Sequence, residues 1–162
     1  MKRLHVHVAV DDLETSIRFY SALFATQPSV RKPDYAKWMI DDPRVNFAIS
    51  KRSAAAGLDH FGIQVEDEGE LADVYVRLEK AARPILEQGA TTCCYAESEK
   101  SWTVDLQGIA WETFLTRGES TVYGESIDLG EAITRSACCA PKAPEIAAVS
   151  VAPKAACCGP TG

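Results

Sequence analysis

Residues 5–12 read His-Val-His-Val-Ala-Val-Asp-Asp, and residues 60–67 read His-Phe-Gly-Ile-Gln-Val-Glu-Asp. Each segment opens on a histidine, has a valine five positions later and ends on an acidic pair. The apolar runs predict β-strands, and an amphipathic helical segment follows both of them. A domain made of two copies of one unit places the same strand position twice around a shared cavity. His5 and His60 are therefore predicted to face each other there, as a metal site requires.

The order of the predicted elements repeats as well. In the first unit, a helix from about residue 12 to 25 is followed by strand-like runs at 29–31, 36–40 and 45–50. In the second unit, a strand at 59–65 and a helix at 70–82 precede strand-like runs at 85–87, 93–96, 101–104 and 110–115. We therefore predict an α+β domain over residues 1–117, built from two βαβββ modules of about 1–52 and 57–117.

Composition excludes several classes of function. A chain of 162 residues with 46% hydrophobic residues forms one domain with a proper core. The net charge of −6 and the lack of a basic cluster argue against nucleic acid and anionic membrane surfaces as partners. No apolar run reaches the roughly 18 residues of a membrane-spanning helix. The first residues lead directly into the first strand, so we expect no signal peptide and a cytoplasmic protein.

A change of composition begins at Gly118. Hydrophobic periodicity is lost there, and residues 137–162 are rich in alanine and proline and carry Cys138-Cys139 and Cys157-Cys158. We expect residues 118–162 to form a flexible, largely disordered tail. Its cysteines either capture a soft ion or are redundant thiols of a low-complexity extension.

A third metal ligand is predicted in the last strand. Glu112 interrupts an otherwise apolar run, and an inward carboxylate is costly unless it is paired or bound to metal. Two imidazoles and one carboxylate leave open positions on a divalent ion, which is typical of non-haem Fe(II) enzymes, although Zn²⁺, Mn²⁺ or Ni²⁺ accept the same ligands. His7 shares a strand face with His5, but it corresponds to Gly62 in the repeat, so we interpret it as an interior residue.

The six cysteines form three adjacent pairs, of which Cys93-Cys94 precedes the strand of Glu112. In a reducing compartment they are thiols, and adjacent thiols bind soft, thiophilic ions. A trivalent arsenical with one organic group has two exchangeable positions, so two thiolates saturate it, whereas inorganic arsenite takes three. We therefore predict that Cys93 and Cys94 bind a substrate. The alternative is a pair of small, half-buried apolar residues.

Several motifs resemble the vicinal oxygen chelate superfamily of glyoxalases, bleomycin-resistance proteins and extradiol dioxygenases. They are His5 before Val10-x-Asp12, Ser16-x-x-Phe19-Tyr20, Leu58-Asp59-His60 and Gly108-x-x-Trp111-Glu112. The resemblance implies a half-barrel cavity and metal ligands at His5 and Glu112, with His60 in third place. Glyoxalase I usually has four protein ligands, and only three stand out here. Leu106 also replaces the proline of the usual Asp-Pro-x-Gly turn.

One branch of that superfamily is closer. Cys93-Cys94-Tyr95, Lys100-Ser101-Trp102 and Tyr35-Ala36-Lys37-Trp38 resemble the organoarsenical carbon–arsenic lyases and the cadmium-induced proteins. This resemblance implies Fe(II), O₂ as co-substrate and a trivalent organoarsenical such as methylarsenite, with the arsenic held by the cysteine pair and arsenite released.

Two other functions stay open at this point. The three cysteine pairs also suit a protein that sequesters cadmium or arsenic without turnover, and the fold suits a glutathione-dependent enzyme of the glyoxalase type. The assembly is open too. His5 meets His60 and Glu112 either within a monomer or across a homodimer that exchanges modules.

Overall fold

Eight strands and two helices occur in the predicted order, in a computed structural model that describes residues 1–52, 55–81 and 83–124. The first unit comprises β1 (Arg3–Ala9), α1 (Leu13–Leu23), β2 (Val30–Lys32), β3 (Tyr35–Asp41) and β4 (Arg44–Ser50). The second comprises β5 (Gly57–Val65), α2 (Glu68–Lys80), β6 (Leu86–Cys93), β7 (Ala96–Val104) and β8 (Ala110–Glu119). The strands form one curled, mixed sheet in the order β2-β3-β4-β1-β5-β8-β7-β6. The predicted α+β half-barrel of two βαβββ modules is confirmed.

Both helices begin in the same way, because the repeat ends in an acidic residue in each unit. The Asp12 carboxylate accepts a hydrogen bond from the Thr15 backbone N–H at 2.7 Å, and Asp67 accepts one from Glu70 at 2.8 Å. The apolar side of each helix then packs on its own unit. These contacts lie on the outer face of the sheet and leave the inner face free to line a cavity. The outer core residues are Leu13, Ile17, Ala36, Trp38, Phe47 and Ile49 around α1, and Val65, Leu71, Val74 and Leu115 around α2.

The register of the central strands aligns the predicted site residues. β1 and β5 are antiparallel and pair His7 with His60 and His5 with Gly62. β5 and β8 are parallel and pair Gly62 with Glu112. His5, Gly62 and Glu112 therefore form one row across three strands, and His60 lies diagonally next to His5.

The structure differs from the predicted elements near the cysteine pair. β6 is one strand, where two short runs were expected, and Cys94 and Tyr95 form the turn that joins it to β7. The sequence suggested a strand at 93–96 because its small apolar residues fit one, whereas the pairing of Cys93 with Ala96 closes a hairpin.

The described chain continues past the boundary expected at residue 117. β8 extends to Glu119, Tyr123 is buried, and Gly124 pairs with Cys93 in an isolated bridge. Residues 118–124 thus contact both units, since Tyr123 also clusters with Tyr35 and Ala48 of the first. The remaining tail, with Cys138-Cys139 and Cys157-Cys158, lies outside the described residues. Within the described ranges, neither helix has the length and apolar character needed to cross a bilayer.

We predict that Gly62→Ala destabilises the protein and disturbs the row of site residues. A Cβ at this position would lie 2.6 Å from the Glu112 carbonyl oxygen and 3.3 Å from the Cβ of His5. Since both neighbours belong to paired strands, relief requires a backbone shift, at a cost of about 1–3 kcal/mol. Urea denaturation measures the loss. Gly118→Ala on β8, where the nearest atom would be 3.7 Å away, is the matched control, and equal stability of both variants would contradict the prediction.

Candidate metal centre and dithiol pocket

Three buried histidines meet at the middle of the sheet. His5, His7 and His60 are exposed by only 5%, 2% and 6%, and one ring nitrogen of each lies within 4.8 Å of the others. The ring centroids of His5 and His60 are 5.2 Å apart. The structure therefore brings the two predicted histidines together and places His7 beside them.

Hydrogen bonds to Nδ1 fix the orientation of the His5 and His60 rings. His5 Nδ1 donates to the Asn46 carbonyl oxygen at 2.9 Å, and His60 Nδ1 donates to the Asp59 carboxylate at 2.6 Å. An imidazole that donates through Nδ1 keeps a lone pair on Nε2, which is the tautomer that binds metal. His60 Nε2 is buried with no hydrogen-bond partner among the described residues. A metal ion would satisfy this atom.

Glu112 supplies a carboxylate to the same point. Its Oε2 lies 3.8 Å from His5 Nε2 and 3.6 Å from His60 Nε2. Its Oε1 accepts a hydrogen bond from the buried ammonium of Lys100 at 2.5 Å. One carboxylate oxygen is thus held by Lys100, while the other faces both imidazoles. The three predicted ligands converge, and the donor set suits a divalent ion with open positions.

The protonation states follow from burial and from these contacts. Burial lowers the pKa of His5 to about 4, so its imidazole is neutral at pH 7. Burial opposes the charge on His60, but the hydrogen bond to Asp59 and the nearby Glu112 carboxylate raise its pKa to about 9. Burial also opposes the charge on Glu112, yet Lys100 and His60 hold its pKa well below the usual range. A proton on His60 therefore stands where a cation would bind, and metal binding would release it.

The sequence repeat did not reveal that His7 belongs to the histidine cluster. Its Nε2 hydrogen-bonds Ser50 Oγ at 2.9 Å, whereas its Nδ1 is buried without a partner among the described residues. Burial lowers its pKa to about 3, so the ring is neutral. His7 belongs to the histidine cluster, but Glu112 Oε2 lies nearest to the other two rings. This geometry favours His7 as a neighbour that supports the candidate ligands.

A single cavity connects this centre with the cysteine pair. It holds about 350 Å³ of space, part of it open to solvent. The sulfur atoms of Cys93 and Cys94 are 3.2 Å apart at its wall. Its lining residues are His5, Tyr35, Lys37, Asn46, Cys93, Cys94, Ala96, Ser98, Lys100, Glu112, Phe114 and Thr116.

The turn that carries the thiols is strained and tied down. Cys94 and Tyr95 have φ values of 57° and 61°, a left-handed conformation that costs residues other than glycine about 1–3 kcal/mol. Tyr95 Oη donates to Asp34 Oδ1 at 2.6 Å, and the Tyr95 carbonyl accepts from the Ser120 N–H at 2.8 Å. These contacts hold the turn in place, so the thiols keep their position at the cavity.

Sequence reasoning missed Tyr123, which covers the dithiol from outside. The Cys94 thiol donates to its hydroxyl at 3.5 Å, and the Arg52 guanidinium lies 3.9 Å from its ring centroid. Arg52 Nε also donates to Asp34 Oδ2 at 2.5 Å. The one signal in the sequence was an aromatic residue within an otherwise polar segment.

The two thiols ionise differently. The hydrogen bond from Cys94 and the nearby Lys100 ammonium lower the pKa of Cys93 to about 7, although burial opposes this. The hydrogen bond to Cys93 and burial raise the pKa of Cys94 well above its usual value. Cys93 is therefore the thiol that ionises first, while Cys94 stays protonated at neutral pH. The thiolate is the nucleophilic form.

Comparison with known proteins agrees with this architecture. The sequence profile of the Glyoxalase/Bleomycin resistance protein/Dioxygenase superfamily matches residues 2–96. The trivalent organoarsenical cleaving enzyme of Bacillus sp. (strain MD1) is 40% identical over 152 residues, which cover 88% of this chain and 93% of that protein. Cadmium-induced protein CadI of Mycobacterium bovis is 34% identical over 125 residues, covering 76% and 82%.

A solved structure shares the fold. The Mn(II)-bound glyoxalase from Novosphingobium aromaticivorans superimposes with a TM-score of 0.53 at 13% identity, over 81% of this chain and 44% of that one. The profile covers more than half of the sequence, and relatives above 30% identity cover most of it. This chain belongs to the glyoxalase/bleomycin resistance protein/dioxygenase superfamily.

Proposed function

We propose that this protein is an Fe(II)-dependent dioxygenase that cleaves the carbon–arsenic bond of trivalent organoarsenicals, such as methylarsenite, and releases arsenite. The observation that carries the proposal is the shared cavity, whose wall contains both the Cys93-Cys94 dithiol and the candidate ligands His5 and Glu112. A relative that is 40% identical over nearly its whole length is named as an enzyme that cleaves trivalent organoarsenicals, which supports the substrate class.

The cysteine pair would hold the arsenic. The thiolate of Cys93 attacks R–As(OH)₂ and displaces hydroxide, which takes the proton of the Cys94 thiol and leaves as water. The Cys94 thiolate then displaces the second hydroxide, which takes a proton from solvent and leaves as the second water. The product is a cyclic R–As(S)₂ adduct, formed with loss of two water molecules. The 3.2 Å separation lets both sulfurs bind one atom. Fixing the arsenic in this way places the organic group in the cavity beside the metal centre and raises its effective concentration there.

His5, His60 and Glu112 would hold the metal. Bound Fe(II) would supply activation of O₂, and the same ligands accept other divalent ions. The protein contributes orientation and charge balance. Asn46 and Asp59 keep Nε2 of each imidazole free, and Lys100 compensates the carboxylate charge. Burial of all three ligands excludes bulk water from the reacting carbon.

A second function has its own support. Cadmium-induced protein CadI is 34% identical to this chain, and the sequence carries three cysteine pairs. These observations suit a protein that binds Cd²⁺ or arsenite without turnover. In that case all three pairs would contribute to binding, and O₂ would have no effect.

We expect Fe(II)-loaded protein to release inorganic arsenite from methylarsenite in air, and to release none when either iron or O₂ is withheld. The reason is that the proposed bond cleavage needs both. Arsenic speciation by chromatography with mass spectrometric detection measures the product. Tight arsenical or Cd²⁺ binding without arsenite release in any condition would reject the lyase and favour sequestration.

We predict that the double variant Cys93→Ser/Cys94→Ser loses turnover by at least about 100-fold and retains its iron. Serine keeps the size of the side chains but forms no stable bond to arsenic, and the pair lies outside the candidate metal set. Arsenite release and iron content are measured together. Thr91→Ser/Thr92→Ser on the same strand is the control, and full activity of the cysteine variant would refute the role of the dithiol.

We predict that Glu112→Ala and Glu112→Gln each weaken Fe(II) binding by at least about 100-fold, because each removes the only anionic ligand of the proposed set. Lys100 would also be left buried without its carboxylate partner, so folding is checked by circular dichroism. Equilibrium dialysis gives the affinity. Glu119→Gln, exposed on the same strand, is the control, and iron affinity equal to that of the wild type in Glu112→Gln would remove Glu112 from the site.

A further inference from the structure

The two units differ at the position that would supply a second carboxylate. His7 and Gly62 are equivalent in the repeat, since each lies two residues after the leading histidine. His7 pairs with Ala48 on β4, and Gly62 pairs with Glu112 on β8. Ala48 is therefore the counterpart of Glu112. The first unit has a methyl group where the second has a metal-facing carboxylate.

The residues that pair with Ala48 and Glu112 on the next strand also differ between the two units. Ala48 pairs with Lys37 on β3, whereas Glu112 pairs with Trp102 on β7. Trp102 packs edge-on against His60 with the ring centroids 5.0 Å apart. Lys37 instead lines the cavity. At this position the second unit has Trp102, which packs near the candidate metal centre. The first unit has Lys37, whose cationic side chain lines the cavity.

The charge of Lys37 has no partner in the described part of the chain. Its ammonium group makes no hydrogen bond or ion pair there, and burial lowers its pKa. The acidic groups that act on it are the Cys94 thiol and Glu119, and neither forms an ion pair with it. Among the described residues that line the cavity, Glu112 is the only one with a carboxylate, and it is hydrogen-bonded to Lys100.

Binding of the arsenic to the dithiol does not give the Lys37 ammonium group an anionic partner. The dithiol takes up R–As(OH)₂ with loss of two water molecules, and the resulting R–As(S)₂ group is neutral. The adduct therefore places no charge beside Lys37.

We propose that Lys37 is a specificity-determining residue that binds an anionic substituent on the organic group of the arsenical. The inference rests on the proposed function and narrows its substrate class to organoarsenicals whose organic group carries a negative charge, such as an aromatic carboxylate. The arsenic stays on the cysteine pair, and the substituent occupies the side of the cavity formed by the first unit.

The test compares three probes, 4-carboxyphenylarsenite, phenylarsenite and methylarsenite. Their dissociation constants are measured by anaerobic equilibrium dialysis of Fe(II)-loaded protein, where no turnover occurs. We expect Lys37→Met to weaken binding of the carboxylated probe about tenfold and to leave the two neutral probes within about twofold. Lys37→Arg is expected to restore most of the affinity. Lys51→Met, an exposed lysine that does not line the cavity, is the control.

Two outcomes would overturn the inference. Equal loss for all three probes would mean that Lys37 acts on the thiols, and no loss for any probe would mean that it does not contact the ligand. A parallel aerobic assay of arsenite release from the three probes separates this inference from the proposed function. If aerobic protein releases no arsenite from any probe, the lyase is rejected, while the charge preference in binding is still decided by the Lys37 variants.

Discussion

In the middle of the sheet, the close approach of β1, β5 and β8 depends on a position that has no side chain. A Cβ on Gly62 would lie 2.6 Å from the Glu112 carbonyl oxygen and 3.3 Å from the Cβ of His5. Because Gly62 has no side chain, the side chains of His5 and Glu112 on the neighbouring strands can approach each other. His60, two residues before Gly62 on the same face of β5, lies next to them. The candidate metal centre therefore depends on strand register, because a shift by one residue would turn every side chain to the other face.

The same centre concentrates charge in the interior. Glu112 and Lys100 are 5% and 3% exposed, and both are charged at neutral pH. Burying ions is unfavourable unless each finds a partner, and replacing such a pair by apolar residues is often stabilising. Here Lys100 occupies one carboxylate oxygen and leaves the other toward two imidazoles. The Glu112–Lys100 pair is therefore better explained as part of a preformed cation site than as a contribution to folding stability.

The dithiol depends on contacts between the two units. Its turn adopts left-handed backbone conformations at two residues other than glycine, and Asp34 of the first unit and the segment after β8 hold it there. The hairpin thus brings thiols from the second unit toward a lysine of the first. Binding of arsenic and recognition of the organic group would in this way be divided between the modules.

The sequence by itself determined the βαβββ order and the grouping of His5 and His60 with Glu112, because repeated local patterns carry that information. Only the tertiary structure decided the single hairpin around the cysteines, the contact of Tyr123 with Cys94, and the position of Lys37 at the cavity. These features arise from pairing between strands that are distant in the chain. Local hydrophobic periodicity does not encode which distant residue each side chain will meet.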